Sequence, residues 1–193
     1  MLFSEELIRF LREGQLAVIP TDTLYGIVCA ARSREAVERL YRVRGRDVAK
    51  PCILLIDDIS ALEEFGIALS EADTKALEKV WPGKVSVVFD CPEKRFEYLH
   101  RGTKTLAFRI PDGQELRALI RKTGPLLAPS ANQEGQPPAR TVVEARNYFG
   151  DQVATYVDGD YRESLPSTVA RLRGGVWEVL RQGAVELAPH QFL

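Results

Sequence analysis

The chain has 193 residues, of which 45% are hydrophobic and 27% charged, and a formal net charge of −1. That length suits one compact domain or at most two small ones, with a core large enough to need no disulfide staples. The near-zero charge leaves no global electrostatic case for nucleic-acid binding, so any such case rests on a local basic patch.

Taken in order, Ser4 ahead of Leu7, Ile8 and Leu11 predicts a short amphipathic helix with a serine N-cap, stopped at Gly14. Residues 16–20 form an apolar run and read as a buried strand. Ser33 caps a predicted helix whose apolar face is Val37, Leu40 and Tyr41, and residues 52–56 read as another buried strand. Ser60 with Glu63, and Ser70 with Asp73, have capping-box spacing, so both are expected to open helices. Trp81, Pro82 and Gly83 break the second. Strands are then expected at 85–89 and 105–110, a helix at 114–122 ended by Gly124 and Pro125, and a short apolar stretch at 126–129. A helix at 141–149, a strand at 153–157, and a terminal hairpin from 168–172 and 176–180 around Arg173, Gly174 and Gly175 complete the chain. Helices and strands interleave throughout, which predicts an α/β class with a mixed sheet.

Absent patterns narrow the chemistry. The three cysteines, Cys29, Cys52 and Cys91, form no C-x-x-C pair and no Cys/His cluster, which argues against structural zinc and for a reducing compartment. Residues 1–14 lack the apolar core of a signal peptide, and no apolar run approaches the ~20 residues of a membrane span, so a cytoplasmic protein is expected. His100 and His190 lie in polar, exposed-looking stretches, and no phosphate-binding P-loop, dinucleotide fingerprint or nucleophile elbow is present. An enzyme with this sequence works with hydroxyls, arginines, lysines and backbone amides, the tools of anion positioning.

Five segments carry such groups. Residues 20–26, P-T-D-T-L-Y-G, put a hydroxyl-rich turn at the end of a buried strand; they suit a ligand site, and equally a strand-ending turn. Residues 42–51, R-V-R-G-R-D-V-A-K-P, hold Arg42, Arg44, Arg46 and Lys50, which suit phosphate or a solvated basic loop. Arg109 interrupts the apolar strand from Thr105 and wants an anionic partner, unless its head reaches water. Ala128, Ser130 and Asn132 follow a short apolar stretch, where small residues allow close backbone approach, or form a polar turn. Ser167 and Arg181 flank the terminal hairpin and, taken singly, read as surface decoration.

In this order and spacing the segments resemble the YrdC-like family, the threonylcarbamoyl-adenylate synthases, in their short form. That family pattern runs P-T-[DE]-T-x-Y-G, K-x-R, [NK]-P, W-P-G, R-x-P, P-S-A-N, S-T and a final R-x-G, and it matches here from about Gly14 to Gly183. The resemblance implies a twisted open mixed sheet flanked by helices, with a concave basic face, as a single domain over 1–193. It implies a nucleotidyltransferase forming threonylcarbamoyl-AMP and pyrophosphate from L-threonine, bicarbonate and ATP with Mg²⁺, for threonylcarbamoyladenosine modification of tRNA. Carried over by position, Thr23, Arg109, Ala128 and Ser167 are threonine contacts. Arg46, Lys50, Thr105, Ser130, Asn132, Pro138 and Arg181 are ATP contacts, and Arg44 stands with Arg46 near the phosphates as a catalytic cation. The implied partners are tRNA or double-stranded RNA and a downstream threonylcarbamoyl-transferase complex. Four positions depart from the pattern. Arg44 replaces the family's lysine, Leu55 stands where longer relatives carry histidine, and Lys84 and Ser86 stand in a P-G-P-x-T strand. A non-catalytic RNA-binding or ATP-binding regulatory protein of the same fold is the competing reading.

Overall fold

A computed structural model describes residues 2–47 and 49–187; His190 lies outside the described residues. Nine strands, β1 (Ala17–Pro20), β2 (Tyr25–Ala30), β3 (Ile53–Leu55), β4 (Val85–Asp90), β5 (Thr105–Arg109), β6 (Leu126–Leu127), β7 (Thr155–Tyr156), β8 (Thr168–Arg173) and β9 (Val176–Arg181), form one open sheet in the order β7-β1-β2-β6-β3-β5-β4-β8-β9. The sheet is mixed: β1 with β7, β3 with β5, and β4 with β8 run parallel, and the remaining neighbours run antiparallel. Helices α1 (Glu5–Arg12), α2 (Arg34–Arg44), α3 (Glu71–Glu78), α4 (Glu97–His100), α5 (Gln114–Thr123) and α6 (Val142–Phe149) flank it.

The helix starts follow from their caps. Ser4, Ser33, Ser70 and Thr141 each accept a backbone N–H from three residues on, satisfying a donor the first turn leaves unpaired. The box predicted at Ser60 is corrected. Asp58 is the cap, accepting from Ser60 N, and the segment Ile59–Phe65 winds as a 3-10 helix. The aspartate lies two residues upstream of the serine and offers the stronger acceptor. Strand β2 was not expected from the sequence. The turn is confined to residues 21–24, and Tyr25 and Gly26 already belong to a strand that is buried along its whole length. A strand buried on both faces carries no alternation to announce it. The expectation that His100 is exposed is also corrected: it is 4% exposed. Its Nδ1 accepts the Gly102 N–H at 3.1 Å, because the chain reverses at Arg101 and Gly102, both at positive φ, and folds the ring inward.

Side chains alternate between two apolar layers. Val18, Ile27, Leu54, Phe108 and Val87 face the larger one, with Val37, Leu40 and Tyr41 of α2. Ile19, Val28, Leu55 and Leu126 face the other, under Leu7, Ile8 and Leu11 of α1 and Leu116, Leu119 and Ile120 of α5. The second layer is short. Strand alternation puts Ile53, Ala107, Val88 and Val169 on that same face, but there they line a cleft instead of packing under a helix.

Candidate active site

The cleft has a volume of about 340 Å³. Its floor is the uncovered sheet face, and its rims are loops that the strand order gathers from distant parts of the sequence. Because β6 lies between β2 and β3, the segment after β6 meets the turn before β2; Ser130 pairs with Gly26 as an isolated bridge. Because β3 runs parallel beside β5, the residues entering β3 lie by the start of β5, and Arg109 comes level with Leu55 at the other end. The segment from 157 to 167 runs from β7 at one edge of the sheet to β8 near the other, and brings Pro166 and Ser167 to the cleft. Tyr25 anchors its start: the phenol donates to Asp160 O at 2.9 Å and accepts from Gly159 N at 2.8 Å. Burial pushes the Tyr25 phenol up from its ordinary value.

Of the residues carried over from the sequence, Thr23, Arg44, Arg46, Arg109, Ala128, Ser130, Ser167 and Arg181 line the cleft. Lys50, Thr105, Asn132 and Pro138 do not. Asn132 sits behind Ser130, accepting its hydroxyl at 2.6 Å. Thr105 is on the cleft face of β5, at the opposite end from Arg109, bonded to the Thr103 hydroxyl at 3.2 Å. Lys50 is exposed and paired with Glu134 at 2.7 Å, and Pro138 is half-buried in the loop between Asn132 and α6. Glu134 holds the Lys50 amine up and is itself held down by that bond and by the Asp47 N–H.

The four cleft arginines are held in different ways. Arg44, the last residue of α2, is 2% exposed. Its Nε donates to Asn132 O at 3.0 Å and its Nη2 to Asn132 Oδ1 at 3.2 Å, while Nη1 is buried without an acceptor. Burial lowers its guanidinium from the ordinary value. Its strongest contacts are therefore with the loop that presents Ser130. Arg46 donates to the carbonyls of Lys50 and Pro51, both at 3.1 Å, and so bends residues 46–51 into a loop around its own head group. Arg181 donates to Ser167 O at 2.8 Å, and burial lowers it too. Arg109 is the exception, because it meets a carboxylate, that of Asp22, with both side chains 6% exposed.

Asp22 and Glu134 were not singled out from the sequence, and Ser86, noted there only as a departure from the family pattern, is fully buried with its hydroxyl 2.9 Å from that of Ser167. Asp22 stands inside the P-T-D-T segment, so its position was flagged, but its partner lies 87 residues away. Cys52 also lines the cleft, and burial pushes its thiol up. Among the described residues the wall thus carries four arginines, the hydroxyls of Thr21, Thr23, Ser130 and Ser167, and no carboxylate. Such a wall binds and orients anions and lacks an evident acid–base pair. Among the described residues no helix is long and apolar enough to cross a membrane.

A family model, Sua5_yciO_yrdC, described as telomere recombination, matches residues 9–183. The chain is 32% identical over 178 residues to the threonylcarbamoyl-AMP synthase of Bacillus subtilis, covering 91% of this chain and 51% of that protein. It is 34% identical over 168 residues to the threonylcarbamoyl-AMP synthase of Thiobacillus denitrificans, covering 86% and 89%. The crystal structure of P. abyssi Sua5 complexed with L-threonine superimposes with a TM-score of 0.83 at 29% identity, over 94% of this chain and 55% of that one. The chain therefore spans about half the length of the B. subtilis and P. abyssi proteins and most of the T. denitrificans one.

Proposed function

Because the chain belongs to the Sua5–YciO–YrdC family, we propose that it is an L-threonylcarbamoyladenylate synthase, a nucleotidyltransferase joining L-threonine, bicarbonate and ATP with release of pyrophosphate. The observation that carries this reading is the composition of the cleft wall: four arginines, four hydroxyls and no carboxylate, on a relative of proteins that bear this name. All three reactants are or contain anions, and a wall of this kind offsets their mutual repulsion.

In the proposed reaction the threonine amine attacks the carbon of bicarbonate, and loss of water leaves an N-carboxylate. That carboxylate attacks the α-phosphate of ATP, and the bond to the β-phosphate breaks to release pyrophosphate. Thr23, Arg109, Ala128 and Ser167 hold threonine at the β1–β2 end of the cleft. Arg46 and Arg181, with Ser130, hold the nucleotide; Lys50, Thr105, Asn132 and Pro138 extend that end outside the wall. Arg44 acts through Asn132, keeping the Ser130 loop in place. Orientation of this kind supplies ~7–11 kcal/mol of barrier reduction when reactants are well aligned. Among the described residues no three His, Cys, Asp or Glu side chains converge, and the wall has no carboxylate, so the protein does not itself fit a resident ion. Mg²⁺ would enter with the triphosphate. The product would serve threonylcarbamoyladenosine modification of tRNA through a downstream transferase complex in the cytoplasm, with one domain over residues 1–193 carrying the activity.

The test is pyrophosphate release from ATP and Mg²⁺ with L-threonine and bicarbonate, each omitted in turn. Release that requires both is expected. Release indifferent to threonine, or ATP binding without release, would overturn the reading in favour of a regulatory or RNA-binding protein of this fold.

A further inference from the structure

The turn between β1 and β2 sets Asp22 between Thr21 and Thr23, whose side chains line the cleft. Asp22 itself does not line it. Its Oδ1 accepts from Arg109 Nη1 and its Oδ2 accepts the Asp112 N–H at 3.0 Å, so one carboxylate clamps the hydroxyl-bearing turn to the end of β5. Among the described residues Arg109 is the one cleft arginine with a carboxylate partner. Arg44, Arg46 and Arg181 donate to carbonyls and an amide oxygen, and Glu134 acts on Arg44 and Arg46 only at longer range, from its pair with Lys50. The cleft therefore holds two kinds of arginine: Arg44, Arg46 and Arg181 have no carboxylate in hydrogen-bond contact, and Arg109 forms a closed ion pair with Asp22.

We infer that Asp22 is a specificity-determining residue: it keeps the Arg109 end neutral, so that this end selects an amino-acid zwitterion over a carboxylate lacking an ammonium group. A lone guanidinium in a partly buried wall attracts any carboxylate. With Asp22 against it, an incoming carboxylate is attracted by Arg109 and repelled by Asp22, so its net gain is small. A ligand that carries its own cation two bonds from the carboxylate recovers the loss by attraction to Asp22. The flanking hydroxyl of Thr23 then discriminates among amino acids by hydrogen bonding, which charge alone does not do, while the Thr21 hydroxyl is spent holding the turn through Leu24 O and the Thr23 and Leu24 N–H groups. The inference rests on the proposed reading of this end as the amino-acid subsite.

The experiment is calorimetric binding of L-threonine and of its des-amino analogue, 3-hydroxybutyrate, to the wild-type chain and to Asp22→Asn. Wild type is expected to prefer threonine by at least tenfold. In Asp22→Asn that preference should shrink by about tenfold, because the ammonium loses its attraction and the lone carboxylate loses its repulsion. A clamp with a purely structural role would weaken both ligands by one common factor, and that result overturns the inference. So does a wild type that binds the two equally, a measurement that stands even if Asp22→Asn does not fold. Wild type binding neither ligand would sink the amino-acid reading of the cleft and this inference with it. Threonine binding with an unchanged preference in the variant would sink the role of Asp22 alone.

Discussion

Asn132→Ala tests the claim that the Ser130 loop is held by a buried hydrogen-bond hub. The Asn132 Oδ1 accepts from Arg44 Nη2 at 3.2 Å and from Ser130 Oγ at 2.6 Å, and its Nδ2 donates to Gln133 O at 2.8 Å and Gln136 O at 2.9 Å. Truncation leaves Arg44 with a second unsatisfied nitrogen, beside the Nη1 that already lacks an acceptor. A hydrogen bond to a buried charged group is worth about 1.5–3 kcal/mol and a neutral one about 1 kcal/mol, so, allowing for water entering the gap, the expected loss is about 2–4 kcal/mol. For a chain of this size that corresponds to roughly 5–15 °C in melting temperature. Urea unfolding followed by circular dichroism measures it. Asn132→Asp apportions the loss. It restores an acceptor for Arg44 and Ser130 but presents no donor to the two carbonyls, so about half the stability should return. A loss below about 0.5 kcal/mol in Asn132→Ala, within the range of ordinary surface changes, would refute the hub.

Two further predictions concern chemistry and pH. Arg46→Ala should lower pyrophosphate release by 100-fold or more, the scale of losing one charge-stabilising donor. The urea midpoint should stay put, because Arg46 is half-buried and bonded to two backbone carbonyls of its own loop. Near-normal turnover would remove Arg46 from the site. Burial pushes all three cysteine thiols up. Native protein at pH 7–8 should therefore react slowly with an aromatic disulfide reagent, and all three thiols should titrate in denaturant. The folded thiols hold their protons at a pH where unfolded ones release them. Their contribution is thus fully present below about pH 8.5 and declines as pH rises above it. Rapid release of one native equivalent would contradict their burial.

Much of the local structure was legible because it depends on near neighbours. Ser4, Ser33, Ser70 and Thr141 cap helices through bonds spanning three residues. Apolar runs at β1, β3 and β5 announce buried strands, and the hairpin of β8 and β9 turns on Gly174 and Gly175, both at positive φ. Eight of the twelve carried-over site residues reach one cleft wall, since their motifs lie where strands end. Less legible were β2, whose burial on both faces erases the period of two, the 3-10 turn capped by Asp58, and the inward fold of His100.

What the sequence determined by itself was most of the element order and of the cap positions, β2 and the Asp58 cap excepted, and the set of anion-binding groups, all carried by residue type and short spacing. What only the tertiary structure decided was which group meets which. Arg109 meets Asp22 across 87 positions, Arg44 holds Asn132 across 88, and Lys50 meets Glu134 across 84. The reason is physical. Insertion of β6 between β2 and β3, and of β3 between β6 and β5, brings these pairs together, and strand order is set by the packing of whole layers, which no local pattern of residues encodes.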